Sequence, residues 1–338
     1  MTIRIAVDVM GGDNGPGVII EGAVAGARSL GAKVLLVGVE SEIQSGLKGT
    51  NPSGVEVEVV PATDVITMHD HPAQAVRRKP QSSINVALRL IAEGRADAMV
   101  SPGNSGAVMA GALMVLSRIK GIERPAIASY IPTVRGKTLL LDLGAVVDPK
   151  PSHLVQFAEM GQVYAQRILN LPQPTIGLLS NGEEPTKGNA LVQQVYPLLQ
   201  ARDDLNFAGN VEGKDVAMGT VDIVVTDGFT GNVALKTAEG VANFLVEILR
   251  EEIMKTLPRK LAGLILRPAF RDMRRRLDYA EIGGAPLLGV NGSVIICHGR
   301  SSARAIETAL TAASRSFEHD LAGEIGRRNA NRPQAAEA

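Results

Sequence analysis

The sequence predicts an α/β protein, a three-layer α/β/α sandwich built on an open, mostly parallel sheet. Two observations carry that prediction. Short apolar runs rich in β-branched residues alternate with longer segments of helical period, the signature of successive βαβ units with helices on both sheet faces. Several of the runs, such as Val34-Leu-Leu-Val37 and Thr138-Leu-Leu-Leu141, are continuously apolar or nearly so, as strands covered on both faces require. A chain of 338 residues can bury a core of that size.

Taken in order, strands are expected at 3–7, 34–37, 55–59, 98–100, 126–131, 138–141, 175–179, 221–225 and 293–296. Helical periods lie between many of them, at 83–92, 106–116, 153–168, 190–196 and 303–313. One segment departs from the alternation. From Val241 to Leu277 no strand intervenes, and Pro258 and Pro268 punctuate two or three helices. Eight basic residues and one acid, Asp272, fall between Lys255 and Arg276, interleaved with Leu257, Leu261, Leu264, Ile265, Leu266, Phe270 and Met273. This reads as a basic, amphipathic helical protrusion, an insertion at about 241–280 in a single catalytic domain of residues 1–325. From Gly326 to Ala338 the chain is polar and is expected to fray.

Composition narrows the classes. Lys plus Arg and Asp plus Glu each total 35, so overall charge gives no hint of a partner, and any basic patch is offset elsewhere on the chain. Nucleic acid is disfavoured by the lack of Trp, by aromatics at only 3%, and by the lack of any basic-aromatic interleaving for base stacking. A single cysteine, Cys297, excludes an intrachain disulfide and a cysteine-rich metal site, and suits a reducing cytosol. Met1–Asp8 reads directly as a strand rather than as a signal peptide. No apolar run reaches the ~18 residues of a membrane span. A cytoplasmic protein, at most resting peripherally on a membrane surface, is the expectation.

The chemistry gathers in loops after strands, where open sheets bind ligands. Ser180-Asn-Gly-Glu-Glu-Pro-Thr-Lys-Gly-Asn189 follows one strand, opens a helix and presents Lys187. Asp227-Gly-Phe-Thr-Gly-Asn232 follows another. Such loops bind anions, because the first turn of a helix has free N–H donors and a positive dipole end. Met10–Gly17 and Ser101–Gly106 are two further glycine-bearing loops of this kind. Lys187, read as lying in the first helical turn, is either a phosphate-binding ammonium or a solvated lysine. Asn232 is either a helix N-cap or an amide donor to a developing oxyanion. Glu183 and Glu184 serve as first-turn acids and oppose the phosphate reading unless they turn away from the crevice.

Other chemistries fit less well. The G-x-G-x-x-G spacing fails at Asn14, and Glu40 alone is weak support for a dinucleotide fold. The Walker-like stretch Gly209–Asp215 is one residue short. Gly103-Asn-Ser-Gly106 lacks the nucleophile-elbow spacing, and Cys297 reads as a buried, inert thiol. His69 and His71 flank Asp70 without a fourth ligand, so a polar loop is favoured over a metal site. No metal and no cofactor are expected.

Several motifs together resemble one family. Ala6–Asp13, Ser101–Ala107, Asn181–Asn189, Thr226–Asn232 and Tyr279-Ala-Glu-Ile-Gly-Gly-Ala-Pro-Leu-Leu-Gly289 are similar, in one order across residues 1–320, to the bacterial acyl-ACP:phosphate acyltransferases, the PlsX family. The resemblance implies a cytosolic homodimer, related in fold to the isocitrate/isopropylmalate dehydrogenases and phosphotransacetylases. It implies transfer of a long-chain acyl group from acyl carrier protein to inorganic phosphate. The acyl phosphate would then feed a membrane-bound glycerol-phosphate acyltransferase that begins phospholipid synthesis. Lys187 and Asn232 match the family's catalytic positions. Asp13, Asn14, Ser101, Asn104, Ser105, Asn181, Gly182, Asp227, Gly228 and Gly231 would complete the substrate crevice.

Phosphate is already a competent nucleophile toward a thioester, so the protein must chiefly hold and orient it. In the protrusion, Arg271, Arg274, Arg275 and Arg276 would steer an acidic carrier protein. Leu261, Leu264, Ile265 and Phe270 would rest in a membrane interface or cover the acyl chain. The same apolar face would equally serve a dimer arm packed on its partner. The alternatives to a transferase are a nicotinamide-dependent dehydrogenase of the related fold and a non-catalytic membrane-surface scaffold.

Overall fold

The computed structural model describes residues 2–277 and 283–331, with the backbone alone at 274–277. The first half of the chain runs β1 (Arg4–Asp8), α1 (Pro16–Leu30), β2 (Lys33–Gly38), α2 (Glu40–Lys48), β3 (Glu56–Pro61), α3 (Pro72–Arg78), α4 (Ser83–Ala92), β4 (Ala98–Ser101), α5 (Ser105–Val115), β5 (Ala126–Thr133) and β6 (Gly136–Leu141). It continues through α6 (Pro151–Ile168), β7 (Thr175–Leu179), α7 (Ala190–Gln200), β8 (Asn206–Val211), α8 (Gly213–Met218), β9 (Ile223–Val225) and α9 (Gly228–Met254). Last come α10 (Leu257–Ile265), α11 (Arg267–Leu277), β10 (Ala285–Leu288), β11 (Ser293–Ile296), α12 (Ala303–Glu318) and α13 (Leu321–Ala330).

All the strands join one sheet in the order β3-β2-β1-β4-β11-β10-β5-β6-β9-β7-β8. Seven of its ten pairings are parallel, which makes the sheet mostly parallel as expected. The three antiparallel pairings, β11–β10, β10–β5 and β5–β6, decide where the site lies. They reverse direction an odd number of times between the halves. The parallel set β3-β2-β1-β4-β11 therefore ends its strands at one edge, and the parallel set β6-β9-β7-β8 ends its strands at the other. β10 and β5 lie between the two sets.

Strand alternation assigns the layers. On β1, Ile5 and Val7 pack with Ile20, Val24 and Leu310 of α1 and α12, while Ala6 packs with Leu88, Val108 and Ala112 of α4 and α5. On β6, Leu139 and Leu141 pack with Phe157 and Val195 of α6 and α7, and Leu140 faces the opposite side. Helices thus cover both faces, the three-layer sandwich of the sequence reading. Local chemistry marks the helix starts: Ser82, Asn104 and Ser302 each accept a backbone N–H as N-caps, and α1 begins at Pro16 and ends at Gly31 with φ 63°.

Several expectations are corrected. α7 begins at Ala190 with Asn189 as its cap, so Lys187, Glu183 and Glu184 lie in the preceding loop and not in the first helical turn. Asp227, not Asn232, caps α9, and that helix runs unbroken from Gly228 through the point where the protrusion was placed. Two strands were not expected: β8 is a half-exposed edge strand carrying Asn and Gly, and β10 holds four residues including Pro286. Of the tail expected to fray from Gly326 to Ala338, the first residues are helical to Ala330, and 332–338 lie outside the described residues. In that helix Arg328 pairs with Asp204 at 2.9 Å and Asn329 donates to the Lys120 carbonyl.

Candidate active site

A buried carboxylate organises the first wall of the site. Asp8, at the end of β1, accepts from the Ser101 hydroxyl at 2.7 Å and from the Met10 N–H at 3.1 Å. The Ser101 Oγ in turn accepts from the Gly103 N–H at 3.1 Å. Burial pushes the Asp8 carboxyl above its ordinary range, against hydrogen bonds from Ser83 and Ser101 that favour its ionised form. The loops after β1 and β4 are thereby pressed together so closely that a Cβ on Gly11 would stand 2.5 Å from the Gly103 Cα. The loop after β11 joins them: Asp13 N–H donates to the Gly299 carbonyl at 2.8 Å, and Asn14 Nδ2 donates to the carbonyls of Arg300 and Ser301. Asn104 caps α5 through the Ala107 N–H and donates to the carbonyls of Thr67 and Asp70.

A second buried carboxylate organises the facing wall. Asp142, just past β6, accepts from the N–H groups of Ile127, Leu143, Gly144, Ala145 and Val146 at 2.6–3.3 Å. Burial raises its pKa, opposed by these same donors. The start of α9 lies directly on this turn. A Cβ on Gly228 would meet the Asp142 Oδ2 at 2.6 Å, and one on Gly231 would meet the Asp142 carbonyl oxygen at 1.9 Å. Asp227 caps the helix by accepting from the Thr230 N–H at 2.8 Å. In the next turn Asn232 donates its side-chain amide to the Leu143 carbonyl at 2.9 Å.

The loop carrying Lys187 follows β7, which is two strands from β6, with β9 between, and runs parallel to it. It is self-braced. Asn181 Oδ1 accepts from the Gly188 N–H, Lys187 N–H donates to the Glu184 carbonyl, and Asn210 of β8 donates to that same carbonyl. The Lys187 stem covers Gly182, where a Cβ would meet its Cγ at 2.7 Å. Lys187 itself is exposed. Glu183 turns away toward Lys214 of α8, at 3.4 Å. Glu183, Glu212 and Asp215 converge within 4.8 Å, but the Lys214 ammonium already pairs with the first two.

Between the two walls lies a cavity of about 470 Å³. It brings together Asp13, Ser105 and Asn232, with Gly103 and Gly144 in its wall. Ser101, Asn104, Gly228 and Gly231 support that wall from behind through the contacts above. Asn14 is turned to the loop after β11, and Asp227 is spent on its cap. Asn181, Gly182 and Lys187 stand on the neighbouring loop, outside the lining. A larger cavity of about 960 Å³, at the opposite ends of β4 and β11, contains none of these residues.

The lining also contains residues that sequence reasoning missed: Ser129, Lys236, Glu239, His298 and Ser301. Lys236 and Glu239 follow Asn232 by one and two turns on one helical face, a spacing visible in the sequence once the helix is placed. Asp8 is hidden from the sequence because its side-chain partners, Ser101 and Ser83, lie far along the chain, whereas Asp142 is held mostly by the four N–H groups that follow it, a turn that Asp142-Leu-Gly-Ala-Val146 does not announce. In the protrusion, Leu261, Leu264 and Ile265 are 63–80% exposed, beside exposed Leu257 and Arg271. The side chains of Arg274, Arg275 and Arg276, and the backbone of 278–282, lie outside the described residues. No helix among the described residues is long and apolar enough to cross a membrane.

Comparison with known proteins shows the family. The model of a family described as "Fatty acid synthesis protein" matches residues 3–323. A phosphate acyltransferase of Geobacter sulfurreducens is 51% identical over 308 residues, 91% of this chain and 89% of that protein. One of Pelobacter propionicus is 49% identical over 323 residues, 96% of this chain and 93% of its own length. In fold, the chain is similar to a phosphotransacetylase of Streptococcus pyogenes, with TM-score 0.65, 15% identity and 94% of each chain covered. It is also similar to the EutD phosphotransacetylase of Staphylococcus aureus, with TM-score 0.60 and 93% of this chain covered. On the strength of the full-length identity, the chain belongs to the phosphate acyltransferase (PlsX) family.

Proposed function

We propose that the protein moves a long-chain acyl group from the thioester of acyl carrier protein to inorganic phosphate. A phosphate oxygen attacks the carbonyl carbon, a tetrahedral oxyanion forms, and the C–S bond breaks to release the carrier thiolate and acyl phosphate. The observation that carries this reading is Asn232. Its amide lines the cavity, and one of its two N–H groups is anchored on the Leu143 carbonyl, which leaves the other for the oxyanion. Such a donor is typically worth ~3 kcal/mol of transition-state stabilisation. No protein nucleophile is needed. Cys297, whose thiol is pushed up to about 12 by burial, is poorly suited to be one.

Lys187 supplies positive charge in this reading. Its loop opens at the same sheet edge as the Asp142 turn and the start of α9. Two strand spacings, roughly 10 Å, separate the loop from that turn, a gap that a lysine side chain and a modest loop movement together bridge. The remaining candidate residues act as the walls of the crevice. Exposed Arg271 and the apolar residues of α10 suit an acidic carrier protein, a peripheral membrane contact or the partner in a homodimer. The acyl phosphate passes to a membrane-bound glycerol-phosphate acyltransferase, in a cytoplasmic setting. Kinship with the isocitrate/isopropylmalate dehydrogenases belongs to the same reading and rests on two parallel half-sheets joined by reversed strands. Family membership favours the transferase over a dehydrogenase or a scaffold.

The test is a phosphate-dependence assay. Purified protein incubated with palmitoyl-acyl carrier protein should release carrier thiol and form acyl phosphate only when inorganic phosphate is present. Equal thioester loss without phosphate would make the protein a hydrolase.

A further inference from the structure

The cavity has one lysine or arginine in its described lining, and it is Lys236 rather than Lys187. Lys236 lies one turn beyond Asn232 on the same face of α9, which places their Cβ atoms about 5–6 Å apart. It makes no ion pair among the described residues, and neither does Glu239, one turn further along. Most exposed helix lysines are simply solvated, but this one stands in the wall of a concave site beside an amide suited to an oxyanion. A cation one turn from that amide has the spacing for an anion about to attack the carbonyl whose oxygen the amide holds. It does not suit the phosphodiester of a carrier protein's prosthetic arm, which the length of the arm keeps much further from the thioester. Glu239 stands on the far side of Lys236 from Asn232, so its repulsion acts away from the reacting end.

We infer that Lys236 is the cavity's phosphate-binding cation, holding the attacking inorganic phosphate within reach of the thioester while Lys187 closes on it from the β7–α7 loop. This rests on the transferase reading above and makes the phosphate site a two-lysine site. Lys236 is exposed on a helix, so its replacement should leave the fold intact.

The experiment titrates inorganic phosphate into the parent protein and into Lys236→Ala and Lys236→Arg, followed by calorimetry, and runs the acyl-transfer assay alongside. Lys236→Ala should bind phosphate at least tenfold more weakly and raise the KM for phosphate by a similar factor. Its KM for acyl carrier protein should stay within twofold, and Lys236→Arg should recover most of the loss. Phosphate binding by Lys236→Ala within twofold of the parent overturns the assignment, as does a parent that binds no phosphate. A parent that binds phosphate but transfers no acyl group to it overturns the transferase reading alone, and the binding comparison still decides Lys236.

Discussion

The side-chain amide of Asn232 donates to the main-chain oxygen of Leu143 at 2.9 Å, and Leu143 is itself held through its N–H by the Asp142 carboxylate. The bond sets which amide atom is nitrogen and fixes the rotamer before any substrate arrives. Gly144, with φ 126°, keeps the amide uncovered: a Cβ there would come within 3.1 Å of Nδ2. A preoriented donor of this kind contributes most where charge develops, so its removal should be felt in the transition state.

Asn232→Ala is therefore expected to lower kcat about a hundredfold while changing the KM for phosphate little. Asn232→Asp should be no better, because it loses the donor and sets a carboxylate against the Leu143 carbonyl. Steady-state kinetics with varied phosphate separates the two parameters. A raised phosphate KM with unchanged kcat would make Asn232 a binding residue.

Gly231→Ala tests how tightly α9 sits on the Asp142 turn. The added methyl would fall 1.9 Å from the Asp142 carbonyl oxygen, so the helix or the turn must move. The expected cost is about 3 kcal/mol, at the upper end of overpacking effects, read from the urea midpoint. Activity should fall with it, since Asn232 rides on the same helix. Parent-like stability would show that α9 can shift freely.

Lys187→Ala removes an exposed side chain whose stem lies over Gly182, so the melting temperature should stay close to the parent's while phosphate-dependent turnover falls at least tenfold. Full turnover would remove Lys187 from the mechanism. A double variant with Lys236→Ala should lose more than either alone if both ammonium groups touch one phosphate, and the losses should fail to add.

Much of this site was legible in the chain because βα loops announce themselves through glycine, small polar residues and a following helical period. Ser101–Ser105 and Asp227–Asn232 were found that way. What could not be read is the direction of the strands. Nothing local in Ala126–Thr133 or Ala285–Leu288 says that these strands pair antiparallel and turn one half of the sheet over against the other. Across these reversed strands the loop of Asp13 and the helix of Asn232 line one cavity, together with Ser129 of β5 and Ala285 of β10. Asp8 is illegible for a related reason, since its partners Ser101 and Ser83 stand on distant segments, and Asp142 because nothing in Asp142-Leu-Gly-Ala-Val146 marks the buried turn whose N–H groups converge on it. The sequence puts Lys187 in the first helical turn because a glycine-bearing turn after a strand opens a helix there, whereas Asn189, two residues later, is the residue that caps it.

The loop forming the cavity wall at Met68 should loosen in acid. Its fastening is Asp70, whose carboxyl is held down at about 2 by the Lys79 ammonium and the Thr67 N–H. A carboxyl with a depressed folded pKa adds stability that is fully present above its ordinary value of 3.8 and is lost as pH falls toward 2. The gap in urea midpoint between the parent and Asp70→Asn should therefore be open at pH 5 and close between pH 4 and 2. Other depressed carboxyls, such as Asp97 and Asp204, act in both proteins and cancel in the difference. A gap of constant size across that range would mean the charge on Asp70 is not what fastens the loop.

Cys297 gives a probe of whether the cavity opens. Its side chain is 5% exposed at the end of β11, in the cavity wall, and burial pushes its thiol up to about 12. The thiolate is the reactive form, so at pH 8 the native protein should react with a disulfide reagent roughly a thousandfold more slowly than the urea-unfolded chain. Fast labelling of the folded protein would mean that the wall around Cys297 and His298 opens to solvent. If saturating phosphate then slowed that labelling, the ligand would be closing the very cavity that holds Asn232 and Lys236.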